Sequence, residues 1–192
     1  MSGSRHNPDA VATWANAVTV ARVLVSPVLF AMITSLKGPY EGSWWALALW
    51  VVLSASDGID GFLARRYGTT RSGAFLDPLA DKVLVLGAMF ALVGRGVFPL
   101  IPVVIITARE VAVSVYRTVA AGQGVSVPAY RLAKLKTVAQ QLAVALALFP
   151  VTAADATWTW MIALWVAVVL TVVTGIHYFV TARRTAEAQA AA

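Results

Sequence analysis

Six apolar stretches separated by short polar breaks run the length of the chain, at about 18–36, 44–65, 75–93, 98–121, 132–149 and 158–181. Each is close to the roughly 20 residues that a helix needs to cross the hydrocarbon of a bilayer. The breaks carry turn chemistry: Lys37-Gly38-Pro39, Tyr67-Gly68-Thr69-Thr70, Gly94-Arg95-Gly96, Gly122-Gln123-Gly124 with Pro128, and Pro150. Glycine supplies backbone freedom in such turns, and proline does not continue a helix. The pattern predicts an all-α integral membrane protein, a single domain over 1–192 with six transmembrane helices and an Ala-rich, frayed tail at 185–192.

Composition agrees. Hydrophobic residues make up 59% of the chain and charged residues 12%, against about half and about a quarter in a soluble domain. Residues 1–12 are polar and small, so the first apolar run reads as a retained span and not a cleaved leader. With six spans both ends lie on one side, together with Arg5, Arg65, Arg66, Arg71, Arg131, Lys134, Lys136, Arg183 and Arg184, while the opposite loops hold Lys37 and Arg95. The positive-inside rule puts both termini in the cytoplasm. Trp44 and Trp45, and Trp158 with Trp160, fit an aromatic belt on the outer side. The net charge of +6 suits loops beside anionic lipid; no soluble basic patch with interleaved aromatics suggests nucleic acid.

The chain has no cysteine and two histidines, His6 and His177, which excludes disulfides and disfavours a zinc site of the usual kind. A metal would be held by oxygen, which favours Mg²⁺, Mn²⁺ or Ca²⁺. Four of the nine acidic residues, Asp57, Asp60, Asp77 and Asp81, crowd into the end of the second helix and the start of the third. Carboxylates in apolar helices are expensive and mark function. Asp57 and Asp60 share one helix face, Asp77 and Asp81 another, and the short connection makes the two helices antiparallel neighbours. Four facing carboxylates resist ionising together; two divalent cations resolve the conflict and leave room for phosphate oxygens. Gly61 and Ala64 keep the Asp57–Asp60 face free of bulk, Arg65 offers a two-pronged phosphate contact, and Thr70 and Gly73 fall in the turn, where a hydroxyl and bare backbone suit a nucleotide. Helix-end ion pairing with Arg65, Arg66, Arg71 and Lys82 is the plainer reading of any single Asp, but it leaves the ordered set unexplained.

The run Asp57-x2-Asp60-Gly61-x2-Ala64-Arg65-x7-Gly73-x3-Asp77-x3-Asp81 resembles the signature of the CDP-alcohol phosphatidyltransferases, whose fold is a six-helix membrane bundle, often dimeric. The resemblance implies that Asp57, Asp60, Asp77 and Asp81 bind two Mg²⁺ ions, Mn²⁺ being the substitute, and that Asp81 is also the general base. It implies that Gly61, Ala64, Arg65, Thr70 and Gly73 line a CDP pocket, with Asn16 and Thr19, ahead of Arg22, contributing from the start of the first helix. The expected reaction displaces CMP from a CDP-linked lipid by an alcohol, in a homodimer of the bacterial inner membrane with its active site on the cytoplasmic side.

The acceptor is read outside that signature. Arg109 and Arg117 lie two turns apart on the fourth helix, and Lys134 and Lys136 open the fifth. Fixed positive charge across the bundle suits an acceptor carrying its own phosphate, against the plainer reading of cytoplasmic loop charges with snorkelling stems. Asn16-x2-Thr19-x2-Arg22 with Pro27, Ala108-Arg109-Glu110, and Lys134-x-Lys136-Thr137-x2-Gln140 are similar to elements of the bacterial phosphatidylglycerophosphate synthases, which implies sn-glycerol 3-phosphate as acceptor and CDP-diacylglycerol as donor. Inositol phosphate, serine and phosphatidylglycerol stay open as acceptors, and a divalent-cation transporter is the rival from another class.

Overall fold

The computed structural model describes the backbone of residues 14–67, 71–122 and 131–190, and the side chains of these except at 14–16, 57–67, 71–78, 121–122, 131–133 and 182–190. The described residues form seven helices: α1 (Trp14–Ser35), α2 (Trp44–Tyr67), α3 (Arg71–Gly94), α4 (Leu100–Gly122), α5 (Arg131–Leu148), α6 (Pro150–Ala154) and α7 (Thr157–Ala190). The six long ones match the six apolar stretches. Three details of the helix boundaries differ from expectation. Pro150 does more than end α5: it opens the extra short helix α6, where its missing N–H is one that a first helical turn leaves unpaired anyway. Phe98 lies before α4 and is buried. Gly73 sits in the first turn of α3, outside the connecting turn expected for it. The backbone of α7 is helical to Ala190.

Three connections meet at one end of the bundle. Arg95, between α3 and α4, donates to the carbonyls of Gly38 and Glu41 in the α1–α2 loop. Ser43 N–H donates to Leu148 O at the end of α5 (2.9 Å), while Ser43 Oγ accepts from Ala46 N–H at 3.3 Å and caps α2. A side chain on Gly42 would run into Pro150, whose Cα lies 2.5 Å from the ideal Cβ position. The chain leaves α3 through Gly96, at φ +74°, with Val97 N–H bonding Leu92 O and Gly96 N–H bonding Val93 O; this left-handed exit satisfies the last carbonyls of the helix. Because these loops gather at one end, the start of α1, the junction of α2 with α3, the end of α4 and the start of α5 gather at the other.

α1 packs against both α2 and α3, which barely touch each other over the described residues, and α7 packs against α4 and α5. Gly87 of α3 makes room for the Phe30 ring of α1. The core holds Leu29, Ile33, Trp50, Met89, Ile106, Leu148 and Leu164. The exterior is apolar as well: Leu24, Val28, Val52, Ile101, Val115, Val138, Val169 and Ile176 are all more than half exposed. Helices that are apolar all round call for lipid. By length and composition two helical segments, Ala17–Ser35 and Thr157–Thr181, can cross a membrane, and Trp44–Ser56 is a shorter apolar run. Trp44, Trp45 and Trp158 are exposed as a belt requires. Trp160 is not: it is 3% exposed and packs on Phe98 with ring centroids 5.7 Å apart, so it belongs to the core. It lies two residues from Trp158, and on a helix that turns it to the opposite face.

Candidate active site

Polar groups converge toward the end of the bundle opposite the three loops. Arg22 of α1 is 1% exposed, and its Nε donates to Ser56 Oγ of α2 at 2.9 Å. Ser56 Oγ donates in turn to Leu53 O, and Ser26 Oγ to Arg22 O. This ties α1 to α2 at the residue before Asp57, where the acidic run begins. Thr19, one turn before Arg22, is also buried and faces the bundle interior.

The backbone places Asp57, Asp60, Gly61, Ala64 and Arg65 on the last three turns of α2, and Gly73, Asp77 and Asp81 on the first three turns of α3. Thr70 lies outside the described residues, as do the side chains of Asn16, Asp57, Asp60, Gly61, Ala64, Arg65, Gly73 and Asp77. Asp81 is half-buried and engaged in an interaction. Among the described residues no three His, Cys, Asp or Glu side chains converge, since three of the four Asp side chains lie outside them. The spacing of the four carboxylates, one helical turn within each pair, and their all-oxygen chemistry fit a hard divalent cation.

The described centre of the site is an ion triad between α4 and α5. Glu110, 6% exposed, receives Lys136 Nζ and Arg109 Nη1 on the same Oε1, the latter at 3.1 Å. Lys136 is 5% exposed. Lys82 of α3 adds a further positive charge near it. Helix α7 closes the third side. Thr174 Oγ1 accepts from Arg109 Nη2 at 3.1 Å, and Gln140 of α5 reaches Thr171 at 3.4 Å. Counted formally, the triad sets two positive charges against one negative, a net positive charge that favours an anion nearby.

Of the four basic residues expected at an acceptor site, the structure brings Arg109 and Lys136 together through Glu110. Lys134 and Arg117 are exposed; Arg117 lies toward Tyr178, whose ring meets Tyr116 edge-on at 5.6 Å. Sequence reasoning did not find Ser56, Thr171 or Thr174. Their type is ordinary in membrane helices, and the available signal on α7 was the helical spacing of Thr171-x2-Thr174 within an apolar stretch.

Comparison with known proteins identifies the family. The family model for the CDP-alcohol phosphatidyltransferases matches residues 12–173. A Bacillus subtilis protein named CDP-diacylglycerol–glycerol-3-phosphate 3-phosphatidyltransferase is 37% identical over 190 residues, covering 85% of this chain and 92% of that protein. A Rickettsia typhi protein of the same name is 36% identical, covering 85% and 93%. A Mycobacterium tuberculosis protein named probable phosphatidylglycerophosphate synthase is 34% identical, covering 91% and 83%. A family match that spans both the acidic run and the Arg109–Glu110–Lys136 triad, with relatives similar along most of their length, makes this chain a member of the CDP-alcohol phosphatidyltransferase family.

Proposed function

We propose that the protein transfers the phosphatidyl group of CDP-diacylglycerol to sn-glycerol 3-phosphate, giving phosphatidylglycerol phosphate and CMP for phospholipid synthesis. The observation that carries the reading is the similarity, over most of both chains, to proteins named for that reaction. The formal net positive charge of Arg109, Glu110 and Lys136 supports an acceptor that brings its own phosphate. A neutral alcohol would leave that charge uncompensated.

The chemistry follows from the residues. Asp57, Asp60, Asp77 and Asp81 would hold two Mg²⁺ ions, or Mn²⁺, and these supply neutralisation of charge on the phosphoryl oxygens. Asp81 takes the proton of the attacking hydroxyl as general base. Arg65 holds a phosphate of the donor, while Gly61, Ala64 and Gly73 let the nucleotide approach the backbone and Asn16, Thr19 and Thr70 complete its pocket. Arg109 and Lys136 hold the acceptor phosphate, and the exposed Lys134 and Arg117 draw it in from the cytoplasm. Fixed charges do this without reorganising as the reaction proceeds. We place all six long helices across the bacterial inner membrane, with both termini and the site cytoplasmic, in a homodimer.

The test is a product assay on the purified protein in detergent, with CDP-diacylglycerol, Mg²⁺ and, separately, glycerol 3-phosphate, inositol phosphate and serine, with and without EDTA. EDTA-sensitive CMP release with glycerol 3-phosphate alone is the expected result. Release with another acceptor overturns the acceptor assignment and leaves the donor chemistry standing; release unaffected by EDTA overturns the metal assignment.

A further inference from the structure

The family match ends at residue 173, and the residues of α7 that grip Arg109 come immediately after it. Thr174 Oγ1 donates its single proton to backbone, at 2.6 Å from Leu170 O and 3.2 Å from Thr171 O. Its lone pairs are therefore the part that Arg109 Nη2 finds at 3.1 Å. Gly175 removes the side chain that would crowd the arginine: an ideal Cβ there lies 3.2 Å from Arg109 Cγ and 3.6 Å from Nε. On the opposite side Glu110 takes Nη1. The guanidinium is thus held at two of its nitrogens. Its third, Nε, is buried with no hydrogen-bond partner among the described residues, as is the Tyr178 hydroxyl one turn further along α7. A buried, unpaired donor on a charged group is costly unless a ligand completes it.

We propose that Thr174 and Gly175 of α7 are positioning residues for Arg109, holding its guanidinium so that the Nε–H is left for the phosphate of the acceptor. The inference rests on the reading of Arg109 as an acceptor ligand. Neither residue touches substrate; each acts through Arg109. Thr174 fixes the plane of the fork, which matters because two-pronged phosphate recognition depends on that plane. Gly175 sets how close the arginine stem lies to α7. A Thr at 174 is needed for its acceptor lone pairs and not for its bulk, so Val, of nearly the same shape, separates the two roles.

The experiment measures KM for glycerol 3-phosphate and for CDP-diacylglycerol separately, with kcat and the thermal midpoint in detergent, for Thr174→Val, Thr174→Ser, Gly175→Ala and Arg109→Lys. Thr174→Val raises KM for glycerol 3-phosphate about tenfold, the scale of one lost hydrogen bond to a charged group, and leaves KM for the CDP-lipid within about twofold. Thr174→Ser restores wild-type behaviour because the hydroxyl remains. Gly175→Ala shifts KM in the same direction as Thr174→Val. If Arg109→Lys raises KM for glycerol 3-phosphate while Thr174→Val does not, the positioning role is overturned and the acceptor site survives. If Arg109→Lys leaves that KM unchanged, the acceptor reading itself fails. Equal changes in both KM values with a lowered midpoint in Val and Ser alike would reduce Thr174 to packing and also overturn the proposal.

Discussion

Replacing Glu110 by Gln removes one negative charge from between two cations and changes almost nothing else in shape. The triad then carries two uncompensated positive charges. The Arg109 and Glu110 side chains are 13% and 8% exposed and 3.1 Å apart, which at an effective dielectric of about 20 corresponds to a gross attraction of about 5 kcal/mol. Breaking a buried pair by removing one partner costs about 3–5 kcal/mol in practice, because the survivor stays buried. For a chain of this length each kcal/mol moves the unfolding midpoint by about 2–4 °C, so Glu110→Gln lowers it by about 6–20 °C. The assay is thermal unfolding of the purified protein in detergent, followed by circular dichroism. A second arm adds Lys136→Met to Glu110→Gln. Removing one orphaned cation along with the anion recovers part of the loss, so the double variant is more stable than Glu110→Gln alone, a coupling that only contacting groups show. A midpoint for Glu110→Gln within about 2 °C of wild type, or a double variant no better than the single, would refute the claim that the triad is a dry, mutually dependent ion cluster.

Three further outcomes are expected. Asp81→Asn abolishes turnover while the protein still binds CDP-diacylglycerol, measured by single-turnover CMP release beside a direct binding assay; normal turnover removes Asp81 as the base. Gly42→Ala costs about 1–3 kcal/mol, the usual range for overpacking, because its Cβ meets the Pro150 backbone at 2.5 Å, and the melting midpoint falls accordingly with KM values unchanged. Gly87→Ala costs less, since what it meets at 2.2 Å is the far end of the Phe30 ring, and Gly87→Ala combined with Phe30→Leu regains most of the loss in the same melt.

Much of this protein was legible in its sequence. Six apolar stretches predict six long helices because a helix in lipid must satisfy its backbone internally, and apolar runs of the right length have few other outcomes. The acidic run was legible because its carboxylates are close in sequence: spacing within a helix places side chains on a face without any knowledge of the fold. The basic residues could be nominated but not sorted. Arg109, Lys136, Arg117 and Lys134 look alike in the chain, yet Lys136 is buried and Arg109 half-buried against Glu110, while the other two are exposed. Trp158 and Trp160 look alike too, and tertiary packing sends one outward and the other against Phe98. The sequence by itself determined the six long helices, their order and the placing of the acidic run at the end of α2 and the start of α3, all of which rest on local periodicity. Only the tertiary structure decided that Glu110 joins Arg109 to Lys136, that Thr174, 65 residues beyond Arg109, accepts a hydrogen bond from its guanidinium, and that Gly175 lies beside its stem, because contacts between distant helices depend on which faces meet, and local periodicity carries no information about that.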